Sequence, residues 1–234
     1  MTSMTLQLDD RQNSSPPSLT NQQFEILLNH IGGLSSRTPL PVSLGFPGAL
    51  VLAVFELIIF MLFVFNAGSN LIDASLEGVV IPVALFYGGL AQFAAGMWEF
   101  QINNTFGATA FTSYGAFWMS FAGYVYFIVP TIKSRAKYAT GLFLLSWFIF
   151  TLYMNVAAYR MSRLLFILFT VLNLTFLFLI IGNLTDTSVV INVGGWFGIV
   201  TAIVAWYGSA ATVINITWKK TILPLGVYVA SKEN

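Results

Sequence analysis

The chain contains no cysteine. Disulfide staples, thiolate nucleophiles and Cys-ligated metals are therefore excluded. Its one histidine, His30, lies in a polar N-terminal stretch, so the apolar remainder can build neither a His-based triad nor a zinc site. Charge is also scarce. Asp, Glu, Lys and Arg make up 8% of the 234 residues, where a soluble domain carries about 25%. A water-soluble protein of this length needs a charged shell that this chain lacks, and lipid is the outer solvent its composition suits. The net charge is +1 and no basic patch is interleaved with aromatics, which argues against nucleic acid as a partner. No nucleophile–base pair, metal cluster or cofactor motif stands out, so the sequence points away from an enzyme and calls for no cofactor.

What the chain does have is length in its apolar runs. A helix crosses about 30 Å of hydrocarbon with about 20 apolar residues. Six stretches qualify: 47–66, 79–98, 107–129, 138–157, 164–181 and 196–216. Polar or turn-forming segments separate them, among them EFQINNTF, PTIKSRAK, YRMSR and GNLTDTS. Joining the fourth and fifth would place Arg160 and Arg163 at mid-membrane, so two helices are expected there. The predicted fold is all-α, a polytopic membrane protein with six transmembrane helices. Residues 1–40 read as a polar, flexible cytoplasmic tail, 41–220 as the transmembrane domain and 221–234 as a short C-terminal tail. No basic segment followed by an apolar core marks a cleaved signal peptide. The stretch from Phe24 to Ile31 suits a short amphipathic turn at the membrane surface. With the N-terminus inside, Arg11, Arg37, Arg160, Arg163, Lys219, Lys220 and Lys232 fall on the inner side, and only Lys133, Arg135 and Lys137 outside. That asymmetry places both termini in the cytoplasm.

Polar side chains at bilayer depth need a partner, water or a purpose. Glu56 falls near the middle of the first run, where a charged carboxylate costs about 2.5 kcal/mol or more. It is expected to face an aqueous cavity, to pair with a neighbouring helix or to stay protonated. Gln92 sits within the second run and Glu99 ends it. Glu99 reads either as an interfacial carboxylate facing cytoplasmic water, neutralised by Arg160 or Arg163, or as a gating or proton-linked group at a pore mouth. Asn103, Asn104 and Thr105 precede the third run, where Asn and Thr cap free backbone N–H groups. A helix start also attracts anions, but capping is the simpler role. Tyr114 and Trp118 are four residues apart and share a face, beside Thr109, Thr112 and Ser113. Gly107, Gly115 and Gly123 recur every eight residues, which suits close helix packing. Asn183 occupies an elbow of the second half that matches Asn103–Asn104 in the first, a faint hint of an inverted repeat.

Two segments give these residues a context. FYGGLAQFAAGMWEF (Phe86 to Phe100) and NTFGATAFTSYGAFW (Asn104 to Trp118) closely resemble the acetate uptake transporter family. That group includes bacterial succinate–acetate permeases and fungal acetate and ammonia-export-associated membrane proteins. The likeness extends more loosely to IIGN (Ile180 to Asn183) and GGWFG (Gly194 to Gly198). The resemblance implies six helices around a narrow pore in each subunit, a homo-hexameric ring, and passage of small monocarboxylates such as acetate. It implies an apolar constriction at Tyr114, Leu172 and a first-helix position that falls on Ala49, where the family has a large aromatic. The family's opening motif, Asn-Pro-Ala-Pro-Leu-Gly-Leu, survives only as Leu40-Pro41-Val42-Ser43-Leu44-Gly45-Phe46. Phe46 or Phe55 could fill the space that Ala49 leaves.

The resulting expectation is a plasma-membrane carrier for acetate, and by extension succinate, acting as a channel or with protons. An ammonium or other small-solute channel fits the same apolar pore. A membrane signalling or scaffold protein with a vestigial pore fits the altered opening motif.

Overall fold

The computed structural model describes residues 20–26, 48–67 and 74–227, with side chains in the first long helix described at 53 and from 57 onward. The chain divides into two units, 1–45 and 46–234. Within the first, a short helix spans 21–26. Thr20 starts it with a capping box: its backbone N–H donates to Gln23 Oε1 at 3.1 Å, and its hydroxyl accepts from the Gln23 N–H at 3.4 Å. Phe24 and Ile26 on this turn are exposed. The remainder of the expected tail, His30 and the Leu40–Phe46 motif lie outside the described residues.

The described part of the second unit is helical up to Trp218; among the described residues there is no strand, only one isolated bridge between Ser162 and Val227. We label its long helices α1 (Gly48–Asn66), α2 (Leu76–Gln101), α3 (Thr105–Gly123), α4 (Ala136–Ala158), α5 (Arg163–Thr185) and α6 (Ser188–Trp218). Four helical stretches are long and apolar enough to cross a membrane: Leu76–Gln101, Thr105–Ala158, Arg163–Thr185 and Ser188–Trp218. The sequence had suggested six. The difference arises because α3 and α4 join in a continuous helical run of 54 residues, and because, of α1, only the apolar portion Leu57–Asn66 lies among the residues whose side chains are continuously described. That run is nevertheless folded back on itself. Lys133 adopts a positive φ of 48° between its limbs, and residues 37 apart meet where the Tyr114 hydroxyl lies 2.8 Å from Thr151 Oγ1.

Helix ends follow local chemistry. Ser162 caps α5 by accepting from the Leu165 N–H at 3.1 Å. Asp186, in the left-handed conformation, stops α5. The expected break over GNLTDTS therefore narrows to Asp186 and Thr187, and α6 begins at Ser188 rather than near Trp196. Gly194 and Gly195, expected in a connection, lie buried inside α6. A Cβ on Gly195 would meet the Ala67 backbone nitrogen at 2.5 Å. Gly195 seats the helix directly against the end of α1, and Gly194 seats it against Leu179 of α5.

The most extensive pairings are α1 with α6, α6 with α5, α5 with α4, and α2 with α3; thinner contacts of α2 with α1 and of α3 with α4 close a ring. Glycines set the α2–α3 spacing. A Cβ on Gly115 would stand 2.6 Å from the Phe93 nitrogen, and one on Gly96 would fall onto Thr112. Gly123, the third member of the expected stripe, meets nothing within 4 Å and does not pack. Two wider π-helical segments, Ala84–Ala91 within α2 and Tyr124–Ile128 after α3, were not apparent in the periodicity. In the second, the Tyr124 hydroxyl donates to the Ala136 carbonyl at 3.0 Å and lies 2.8 Å from Thr140 Oγ1, tying the end of α3 to the start of α4.

Candidate functional site

A cavity of about 380 Å³ lies within the helix ring. Every long helix contributes to its wall: Ile59, Leu62, Phe63 and Asn66 from α1, Glu77 and Ala84 from α2, Tyr114, Phe117 and Trp118 from α3, Thr140 and Leu144 from α4, Leu172, Phe176 and Asn183 from α5, and Ile191 from α6. Glu77 and Gly78 are exposed and mark an open end. One turn beyond Thr140 and Asn183, Lys137 Nζ and Asp186 Oδ2 form an ion pair of 2.6 Å that links α4 to α5.

The wall is mostly hydrocarbon and aromatic rings. Its polar donors are largely engaged. Asn66 Nδ2 donates to the Leu62 carbonyl at 3.1 Å, and Asn183 Nδ2 to the Leu179 carbonyl at 2.8 Å. Thr175 Oγ1 donates to the Val171 carbonyl at 3.0 Å. Tyr114 is buried deep in the ring with its ring edge on Phe150 at 5.3 Å, and Leu172 is buried with it. Such a wall suits a small, largely dehydrated solute better than a fully hydrated ion, because polar groups are few along it.

Of the residues singled out in the sequence, Tyr114, Trp118, Leu172 and Asn183 share this cavity. Gln92, Glu99, Asn104 and Thr105 are not in its wall. Ala49 and Glu56 belong to α1 by their backbone, but their side chains, like that of Phe55, lie outside those described. Thr105 is exposed at the start of α3. Gln92 is buried, and its Oε1 has no hydrogen-bond partner among the described residues.

Glu99 departs from one expectation. It is 0% exposed rather than facing water, and its partner is not Arg160 or Arg163. Asn104 Nδ2 donates to Glu99 Oε2 at 2.6 Å, while Asn104 Oδ1 accepts from the Gly107 N–H at 3.1 Å and so caps α3. Asn103, at a φ of 57°, turns the chain so that these groups meet. Gly107 leaves the room: a Cβ there would lie 2.6 Å from Asn104 Nδ2 and 2.9 Å from Glu99 Oε2. Glu99 Oε1 has no hydrogen-bond partner among the described residues.

Sequence reasoning missed Phe117, Phe176, Asn66 and Thr140 as cavity residues. The phenylalanines are indistinguishable by type from lipid-facing ones. Asn66 carried a usable signal, since it closes an apolar run as Asn183 does in the other half.

Comparison with known proteins places this architecture. The chain is 39% identical over 172 residues to ammonia transport outward protein 2 of Saccharomyces cerevisiae, a match covering 70% of this chain and 60% of that protein. It is 37% identical over 195 residues to acetate permease A of Emericella nidulans, covering 76% and 65%. The chain thus spans roughly 60–65% of the length of these curated relatives. The solved structure of the bacterial acetate channel SatP superimposes with a TM-score of 0.70 at 33% identity, covering 78% of this chain and 99% of that one. Residues 34–225 match the sequence profile of the GPR1/FUN34/yaaH family, and the chain belongs to that family.

Proposed function

We propose that this protein carries small monocarboxylates such as acetate, and by extension succinate, across a membrane. The observation that carries the reading is the apolar cavity of about 380 Å³ to which every long helix contributes and in whose wall Tyr114 and Leu172 stand together. Similarity to acetate permease A and to the acetate channel SatP supports it. In this reading the folded-back run Thr105–Ala158 counts as two crossings and α1 as one. Each subunit then has six transmembrane helices around a narrow pore, with both termini in the cytoplasm of a plasma-membrane homo-hexamer. Ala49, Tyr114 and Leu172 form the constriction. Trp118 and Asn183 line the cavity. Glu56, Gln92, Glu99, Asn104 and Thr105 serve the polar remainder of the route.

Physical chemistry favours the protonated acid at the constriction, because an ionised carboxylate would shed its water without gaining donors. A proton crossing with each acid is read externally as symport. Purified protein in liposomes is expected to take up labelled acetate, faster from the acidic side. Uptake no greater than in empty liposomes would overturn the proposal.

Ammonia export is the second reading, supported by similarity to ammonia transport outward protein 2. Ammonia is small and neutral, so the same wall would pass it. Faster acidification inside vesicles loaded with ammonium and diluted into ammonium-free buffer, where departing ammonia leaves its proton behind, unaffected by acetate, would favour this reading over the first.

A further inference from the structure

We propose that Gly88 sets the calibre of the cavity by seating the Trp118 indole behind its wall, and thereby selects acids by chain length. The inference rests on the carboxylate-transport reading.

Trp118 lines the cavity and is 2% exposed. Its back is turned to the π-helical segment of α2, where Gly88 is buried. A Cβ on Gly88 would stand 3.1 Å from Trp118 Cγ, 3.2 Å from Cδ1 and 2.9 Å from Ile58 Cδ1. All three are side-chain atoms. The Ile58 methyl is the end of a flexible chain and can turn away, but the indole must give by a few tenths of an ångström. Phe117 and Phe121 stand edge-on to it, at 4.8 and 6.0 Å between ring centroids. With Gly88 behind and these rings alongside, the open direction is the cavity. The indole N–H has no hydrogen-bond partner among the described residues, so the ring can shift without breaking such a bond.

The same construction recurs on α6. Gly194 stands behind Leu179, and Gly198 behind the Phe63 ring; both of these side chains also line the cavity. A Cβ on Gly194 would also stand 3.1 Å from the Leu179 backbone nitrogen, and one on Gly198 would fall on the ring itself. A substitution there must shift the α5 backbone or drive the Phe63 ring out of its place. At Gly88 the nearest atoms are side-chain atoms at 2.9–3.2 Å, near enough to be displaced but not overlapped by an added methyl, which makes it the informative position.

The test compares initial rates for labelled acetate, propionate and butyrate in proteoliposomes, taken as ratios within one preparation so that protein yield cancels. One methylene in an apolar site is worth about 10–200-fold, and the ring moves by less than a methylene, so a change of about threefold is expected. Gly88→Ala should lower the propionate-to-acetate ratio by about that factor. Trp118→Phe should raise it, and the double variant should return towards the wild-type ratio. Gly123→Ala, whose Cβ meets nothing, should leave it unchanged. An inserted Gly88→Ala protein that carries acetate with the wild-type ratio overturns the inference. If Gly88→Ala does not fold, an unchanged ratio in Trp118→Phe overturns it equally. Wild-type protein that carries none of the three acids overturns the transport reading and this one with it, a result visible before any variant is compared.

Discussion

Asn104 Nδ2 and Glu99 Oε2 stand 2.6 Å apart, the former in the turn between α2 and α3, the latter in the last turn of α2. The contact joins two local demands. The start of α3 needs an acceptor for its free N–H groups, and a buried carboxylate needs a donor. One amide serves both, through its oxygen and its nitrogen. The backbone reinforces it, since the Asn104 N–H donates to the Glu99 carbonyl at 3.0 Å.

Asn104→Ala removes the cap and strands the carboxylate. A lost cap costs about 1 kcal/mol, and a buried polar group left unsatisfied about 1–3 kcal/mol. The melting temperature of the detergent-purified protein should fall clearly in Asn104→Ala. Asn104→Ser, which keeps a capping hydroxyl but cannot span to Glu99, should lie between. Equal melting of Asn104→Ser and wild type would show that the carboxylate contact contributes nothing.

Tyr114→Ala opens the cavity beside Leu172 and leaves Thr151 Oγ1 still donating to the Trp147 carbonyl at 2.8 Å. Large-to-small changes of buried aromatics cost about 3–5 kcal/mol, so the protein should be less stable yet still assemble in membranes. Acetate flux should rise and size selection relax. Acetate uptake by the assembled variant at the wild-type rate would remove Tyr114 as a gate.

Gly115→Ala and Gly123→Ala make a matched pair on one helix. The first places a methyl 2.6–2.9 Å from backbone atoms of Phe93 and Gly89, and overpacking of this kind costs about 1–3 kcal/mol. The second meets nothing, and alanine is the better helix former by about 1 kcal/mol. Thermal denaturation should therefore show Gly115→Ala below wild type and Gly123→Ala at or above it.

Asn215 organises the segment after α6. Its Oδ1 accepts from the Ile222 and Leu223 N–H groups at 2.7 and 3.0 Å, and its Nδ2 donates to the Leu223 carbonyl at 2.7 Å. The strand of chain beyond is tied down where Arg163 N–H donates to the Gly226 carbonyl at 3.0 Å. Asn215→Ala should loosen 219–227 and speed tryptic cleavage at Lys219 and Lys220 several-fold, with transport retained. Cleavage at the wild-type rate would show that the Arg163 contact suffices.

Much of this molecule could be read from residue order. Lack of charge and the length of apolar runs specify lipid-facing helices, because the cost of burying a backbone without hydrogen bonds is local and applies to every residue alike. Hence α4 and α5 lie where 138–157 and 164–181 led one to expect, each a few residues longer. The Asn104 cap was equally legible, since a cap acts within four residues. The partner of Glu99 was not. Arg160 and Arg163 were reasonable candidates by topology, but a positive φ at Asn103 brought the nearer amide over the carboxylate instead. Cavity membership was hidden for a deeper reason. These helices are apolar around their whole circumference, so no polar stripe records which face turns inward. Only the packing of neighbours, often through a missing side chain such as those of Gly88 and Gly115, rotates Phe117 and Trp118 to the cavity and leaves Gln92 out of its wall.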